Sequence, residues 1–313
     1  MGAVGELNDI LQRLEPSLGR LHGEPTALNG GITNRNYRVT LGDEDYVVRL
    51  PGKDTALLGI DRQAEREATA EAASLGIAPP IAAALEDCLV TRFLACRPVE
   101  ASELADGVEE IALALHRFHD SGLRLSSRFW VPDLLGDYAA VVRRRGGALP
   151  DAYDAALDAA ERIEAALPLT QPRACHNDLL GGNLIRAQSD GRLMLVDWEY
   201  AGMGDPRFDL GNLSVNNGFG EDADDRLLGA YYDEAPSDGR RAALKLMRVL
   251  SDAREGAWGV VQAHVSELEF DFEGYAESHF GRLQETIEER SFAEWLAEAE
   301  ETSRGERESG QTA

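Results

Sequence analysis

The chain has 313 residues, 43% of them hydrophobic, which is enough to bury a sizeable core divided between two lobes. Its formal net charge is −25, and Lys53 and Lys245 are its only lysines, which argues against a nucleic-acid-binding surface. No stretch approaches the ~20 apolar residues of a membrane span, and the N-terminus has neither a signal-type apolar run nor the Ser or Thr of a myristoylation site, so a cytoplasmic protein without membrane insertion is expected.

Residues 5–15 carry helical periodicity in Leu7, Ile10, Leu11 and Leu14, ended by Pro16. The segment LNGGITNRNYRV then leads from Leu28 into an apolar strand, and YVVRL forms a second strand at Tyr46 to Leu50 after the Gly42-Asp43 turn. In this strand-loop-strand setting Gly30, Gly31, Thr33 and Asn34 could lay backbone N–H groups over nucleotide phosphates. An ordinary glycine hairpin explains the same residues, and the loop departs from the G-x-G-x-x-G kinase pattern. Arg49 stands in the next strand where kinases carry Lys, and its permanent charge and bidentate fork suit the same role.

Asp61 to Leu75 reads as a helix closed by Gly76. Glu65 and Glu67 point about 200° apart on it, so only one can pair with Arg49, and Glu65 is preferred. A solvated helix face is the other reading for both. Strands follow at Ile81 to Leu85 and Cys88 to Leu94, and Phe93 lies where a crossover would offer backbone to an adenine ring. Arg97-Pro98 marks a boundary between an N-terminal nucleotide-binding lobe, 1–95, and a C-terminal catalytic lobe, 96–303. Helices are expected within 101–119, with His119 as a satisfied core histidine, and at 133–145 and 151–166.

The richest stretch is CHNDLLGGNLIRAQSDGRLMLVDWEY, Cys175 to Tyr200. Asn183 follows Asp178 by five residues, and Asp197 comes after a hairpin of Leu184-Ile185 and Leu193 to Val196 turned at Ser189-Asp190-Gly191. That spacing matches the kinase catalytic loop H-R-D-x-x-x-x-N followed by a second metal-binding Asp. Phosphoryl transfer needs a carboxylate at the attacking hydroxyl and oxygen ligands that hold Mg²⁺ against the nucleotide phosphates. Asp178 suits the first task and Asn183 with Asp197 the second. A polar turn between strands would also favour Asp and Asn, but it requires neither this spacing nor the later Asp.

Beyond Gly204-Asp205-Pro206 a helix begins at Phe208 to Leu213. Asp209 in it either hydrogen-bonds the catalytic-loop backbone or serves the helix N-terminus. Helices follow at Ala242 to Val265 and 275–289, and the polar tail 304–313 is expected to be disordered.

GGITN at 30–34, YVVRLPG at 46–52, HNDLLGGNLI at 176–185, VDWEYAG at 196–202, DPRFDLGN at 205–212 and REGAWGVVQ at 254–262 together resemble the choline/ethanolamine kinase family, within the aminoglycoside-phosphotransferase and protein-kinase-like superfamily. The closest likeness is to the bacterial choline kinases of lipopolysaccharide phosphocholine pathways. The resemblance implies an α+β, bilobal protein-kinase-like fold with an antiparallel sheet lobe and a mainly helical lobe. It also implies ATP- and Mg²⁺-dependent transfer to the alcohol of a small cationic molecule held by aromatic and acidic side chains. Tyr200, three residues past Asp197, and Trp258, on the helix side of Met247 and Val265, are expected to line that acceptor site, with Glu199 as counter-charge. Arg254 is expected to pair with a structural carboxylate. Trp198 is the better candidate for a purely core role, which also remains open for Trp258.

Two function classes remain: a kinase for choline or another cationic alcohol (ethanolamine, thiamine, an aminoglycoside), and a non-catalytic nucleotide-binding module, which has no need of Asp178, Asn183 and Asp197 together. Cys88, Cys96 and Cys175 form neither a metal-ligand spacing nor an even disulfide set, so reduced thiols are expected. The acidity with few lysines resembles proteins of salt-loving organisms. Self-repulsion at this charge destabilises a fold in dilute buffer, and molar salt, with a Debye length of about 3 Å, relieves it.

Overall fold

Helix α1 (Ala3–Leu18) opens the chain and buries Leu7, Ile10, Leu11 and Leu14 as one stripe. It runs through Pro16 instead of stopping there. The proline lies in the last turn, where its missing N–H removes a single bond, and Gly19 N still donates to Glu15 O at 2.9 Å. The computed structural model describes residues 3–28, 34–52, 55–266 and 268–310.

Strands β1 (Leu21–Leu28), β2 (Arg35–Leu41), β3 (Glu44–Leu50), β4 (Ile81–Leu85) and β5 (Cys88–Arg92) form one antiparallel sheet in the order β1-β2-β3-β5-β4. Alternation along β3 buries Tyr46, Val48 and Leu50 against α1 and turns Val47 and Arg49 to the opposite face. Arg49 therefore lies on the cleft side because its two neighbours in the pleat belong to the core. Helix α2 (Arg62–Ser74) crosses between β3 and β4. Asp61 caps it by accepting from Gln63 N and Ala64 N, and Gly76 takes φ +73° just beyond its end.

The remaining strands are short. Strand β6 (Cys96–Pro98) pairs with β8 (Leu184–Ala187), which pairs with β9 (Leu193–Leu195); β7 (Arg173–Cys175) pairs with β10 (Gly202–Gly204). The rest is helical: α3 (Ala101–Asp106), α4 (Val108–His119), α5 (Val131–Arg144), α6 (Ala152–Ala166), α7 (Pro206–Asn216), α8 (Glu221–Tyr232), α9 (Asp238–Val265), α10 (Phe272–Glu288) and α11 (Arg290–Gly310). The α+β architecture, an antiparallel N-terminal sheet followed by a mostly helical part, is the one expected. Helix α9, 28 residues and about 42 Å long, is the axis on which α5, α6, α7, α10 and α11 pack.

One expectation is corrected here. The polar C-terminal stretch beyond Arg304 continues α11 to Gly310. Glu and Arg are good helix formers, and Arg304 pairs with Glu300 one turn back at 2.8 Å. Among the described residues no helix is long and apolar enough to cross a membrane.

Candidate active site

Two strand registers bring the polar residues of the central stretch together. Leu184 opposite Leu195 leaves Val196 N donating to Asn183 O at 3.0 Å, so Asp197 emerges beside Asn183. Cys175 opposite Gly202 likewise sets His176 to Asp178 against Trp198 to Ala201.

The loop carrying Asp178 is held from behind by α7. Asp209 accepts from His176 N at 2.8 Å and Asn177 N at 2.7 Å, and one turn on, Asn212 Oδ1 accepts from Leu179 N at 2.5 Å. Asp209 thus takes the loop-holding role of its two sequence readings. Its partner on the other side is His119, buried at 2.9 Å and hydrogen-bonded to the Tyr231 hydroxyl at 2.8 Å. Asn177 adopts φ +67°, and its amide donates to Tyr200 O at 3.0 Å. His176 Nε2 donates to Val196 O at 3.0 Å and Nδ1 accepts from Asp178 N. Burial lowers the pKa of this imidazole, consistent with a neutral ring acting as a spacer.

Asp178 receives Asn183 Nδ2 on Oδ2 at 3.0 Å and Arg254 Nη1 on Oδ1 at 3.2 Å. Burial pushes its carboxyl up to about 7; Arg254 works against that shift, while Glu255 and Asp197 add to it. With its nitrogen turned to Asp178, Asn183 has its amide oxygen left to take a cation. Asp197 sits at φ +65°, a strained conformation for a non-glycine residue and one that recurs at functional sites.

Arg49 bridges the two lobes. Its Nη1 donates to Glu65 Oε1 at 2.9 Å and to Asp197 Oδ1 at 2.8 Å. Burial alone would lower its pKa, but Asp197, Glu65 and Glu199 outweigh burial and raise it. Glu65 is buried, whereas Glu67 hydrogen-bonds Gln63 on the outer face of α2, which decides between the two glutamates as Arg49's partner.

These residues border one cleft of about 500 Å³, whose lining includes Arg49, Phe93, Asp178, Tyr200 and Trp258. Phe93 N donates to Asp45 O and its ring lies 4.1 Å from the Arg38 guanidinium. Gly30, Gly31 and Thr33 lie outside the described residues. Asn34 is described, and its amide donates to Glu199 Oε2 at 3.0 Å.

Glu199 borders the same cleft as Tyr200 and Trp258, but its carboxylate is turned to other partners. Its carboxylate accepts from Asn34 and, at 3.2 Å, from Arg62, and burial followed by repulsion from Asp197 pushes it up to about 8. Tyr200 and Trp258 do meet: Trp258 Nε1 donates to the Tyr200 hydroxyl at 2.8 Å. Arg254, expected to pair with a structural carboxylate, pairs with Glu255 at 2.6 Å and with Asp178 at 3.2 Å. Sequence reasoning missed Glu255 and Tyr275, whose hydroxyl donates to Glu255 Oε2 at 2.7 Å and whose ring lies 5.6 Å from that of Trp258. The signal available was the fully helical Arg254-Glu255-x-x-Trp258 run, too acidic and basic for an ordinary buried stripe. Trp198 is core, against Phe118 and His176.

The donor set fits a hard divalent cation: Asp197 offers a carboxylate oxygen and Asn183 an amide oxygen, and a cation there would also relieve the repulsion between Asp197 and Asp178.

A two-lobed fold with an Asp…Asn…Asp constellation on a hairpin, facing a cation-bridged glutamate across a cleft, defines the protein-kinase-like phosphotransferase architecture. The family model described as "Phosphotransferase enzyme family" matches residues 24–246, and the chain belongs to that family. It is 26% identical over 223 residues to protein LicA of Haemophilus influenzae, a match that covers 68% of this chain and 64% of that protein. With human ethanolamine kinase 1 it shares 26% identity over 316 residues, 87% of this chain and 69% of that one. Among solved structures, a choline/ethanolamine kinase family protein of Mesorhizobium loti superposes with a TM-score of 0.78 at 28% identity, covering 94% of this chain and 99% of that one.

Proposed function

We propose that the protein transfers the terminal phosphoryl group of ATP to the hydroxyl of choline or a related small amino alcohol, in a Mg²⁺-dependent reaction. The observation that carries this reading is the convergence of Asp178, Asn183 and Asp197 with the Arg49–Glu65 pair on one cleft that continues into a pocket of aromatic and acidic side chains.

Asp197 and Asn183 would hold the metal, which when bound would neutralise charge on the phosphate oxygens. Arg49, anchored by Glu65, presents a permanent cation to the phosphates. Phe93, at the end of β5, borders the adenine end. Asp178 orients the acceptor hydroxyl and takes its proton. Burial raises this carboxyl toward the operating pH, the direction that suits a base. Positioning and electrostatics then carry the reaction by direct in-line attack.

The test is nucleotide consumption across a panel of small alcohols at molar salt. Turnover with an amino alcohol is expected, together with a loss of about 10²-fold or more in Asp178→Asn at nearly unchanged nucleotide affinity. Asp197→Ala should weaken metal-nucleotide binding as well. Wild-type turnover in Asp178→Asn would overturn the assignment.

A further inference from the structure

Resting on the phosphotransferase reading above, a second feature of the acceptor pocket narrows its substrate. Consecutive residues of α9, Arg254 and Glu255, are buried together beside Asp178, and each is 1% exposed. The guanidinium lies 4.2 Å over the Tyr200 ring and 6.0 Å from that of Phe129, and its Nε and Nη2 have no hydrogen-bond partner. The protein's own cation therefore occupies the Tyr200 face that a substrate cation would need. Of the other rings, Trp258 and Tyr275 meet edge to face at 70°, and Tyr275 also lies 4.5 Å from His279, so Tyr275 is hemmed in on two sides and Trp258 is the ring left to face the cleft. A quaternary ammonium has no N–H and depends on such faces.

Glu255 offers the opposite kind of recognition. Its Oε1 accepts from Arg254 and its Oε2 from the Tyr275 hydroxyl, so a carboxylate with about four acceptor sites retains two. It borders the same cleft as Trp258 and Asp178. Two carboxylates and one guanidinium leave this end of the pocket with a formal charge of −1, which matches one ammonium.

We propose that the Arg254–Glu255 pair sets acceptor specificity, selecting an amino alcohol whose ammonium carries N–H groups over a quaternary one. Arg254 removes an aromatic face and Glu255 substitutes a hydrogen-bond acceptor.

The experiment measures kcat/KM for ethanolamine, its N-methyl and N,N-dimethyl derivatives, and choline. The largest step should fall between the dimethyl compound and choline, where the last N–H is lost. A charge-assisted hydrogen bond makes that step about tenfold or more. Glu255→Gln keeps an acceptor oxygen but loses its charge, so it should reduce the step, chiefly through KM. The double variant Arg254→Met/Glu255→Leu removes this ion pair and its acceptor together, Asp178 keeps Asn183 Nδ2 as a donor, and the step should be flattened. Choline turned over as well as the dimethyl compound overturns the proposal, as does a step that survives in both variants. If none of the amines accepts phosphate, the phosphotransferase reading itself falls and takes this inference with it; turnover with choline preferred sinks the specificity claim alone.

Discussion

The carboxylate of Asp209 accepts the backbone N–H of Asn177 at 2.7 Å, and Asn177 holds a left-handed φ of +67° one residue before Asp178. A helix side chain thereby clamps the catalytic loop in a conformation the chain would not choose alone. Burial by itself would raise the Asp209 pKa, but hydrogen bonds from His119 and the His176 N–H hold it below the ordinary value of 3.8. A carboxylate depressed in the folded state stabilises above its unfolded pKa, and that stabilisation is lost as pH falls through the folded value. Asp209→Asn should cost about 2–3 kcal/mol, because an amide NH₂ then faces a buried N–H donor. Melting temperatures measured between about pH 5 and pH 3 should fall more steeply for the wild type than for Asp209→Asn. Parallel curves would show that Asp209 is not ionised in the fold.

What could be read from the sequence divides by range. Asp61 and Gly76 bound α2 by local capping chemistry, the Ser189-Asp190-Gly191 turn sets a hairpin, and α9 shows its period over many turns. Each is a property of residues a few positions apart. Strand β1 stayed hidden because it is a half-exposed edge carrying Gly23 and Pro25, and β7 and β10 because three-residue strands have no pattern of their own. At the site, Asp178, Asn183 and Asp197 were legible from spacing. The turning of Glu199 toward Asn34, 165 residues away, and the Arg254–Asp178 pair, 76 residues apart, exist only in the packed chain.

Gly211 separates α7 from α9. A Cβ there would lie 2.5 Å from Met247 Cβ and 2.7 Å from the Met247 carbonyl carbon, and backbone cannot give way as a side chain can. Gly211→Ala should destabilise by about 3 kcal/mol and lower turnover too, since α7 carries Asp209 and Asn212. The control is Gly136→Ala in α5, where an added Cβ meets nothing within 4 Å. That change should be neutral or stabilise by about 0.5–1 kcal/mol, as Ala does over Gly in a helix. Equal melting temperatures for the two variants would refute the close-packing account.

The surface charge predicts a dependence of stability on salt. A formal charge of −25 spread over one chain repels itself, and many of its arginines are already committed to exposed pairs such as Arg13–Asp87 and Arg92–Glu44. Such pairs contribute little and weaken further in salt, so screening of the uncompensated carboxylates governs the net effect. The melting temperature should rise steadily between about 0.1 M and 2 M salt as the Debye length shrinks. A flat series would remove the idea.

Trp258 has two claims on it, as core and as pocket wall. It is 6% exposed, donates to the Tyr200 hydroxyl at 2.8 Å, and packs against Phe272 at 5.8 Å, all of which suit a core residue. It also borders the cleft beside Asp178, where an ammonium against its ring is worth roughly 0.5–2 kcal/mol. Truncation to Ala mixes the two, because the cavity it opens would lower activity through stability alone. Phe and Leu separate them. Both lose the indole N–H and much of its bulk, so the packing penalty is shared, but Phe keeps a π face and Leu does not. A pocket role predicts that the acceptor KM of Trp258→Leu exceeds that of Trp258→Phe by about three- to thirtyfold, with equal KM for ATP in both. A core role predicts that both variants melt earlier while the acceptor KM stays the same. The comparison also bears on Glu255: if the π face matters little and the carboxylate matters much, the two variants should bind a primary ammonium almost alike and differ only toward choline.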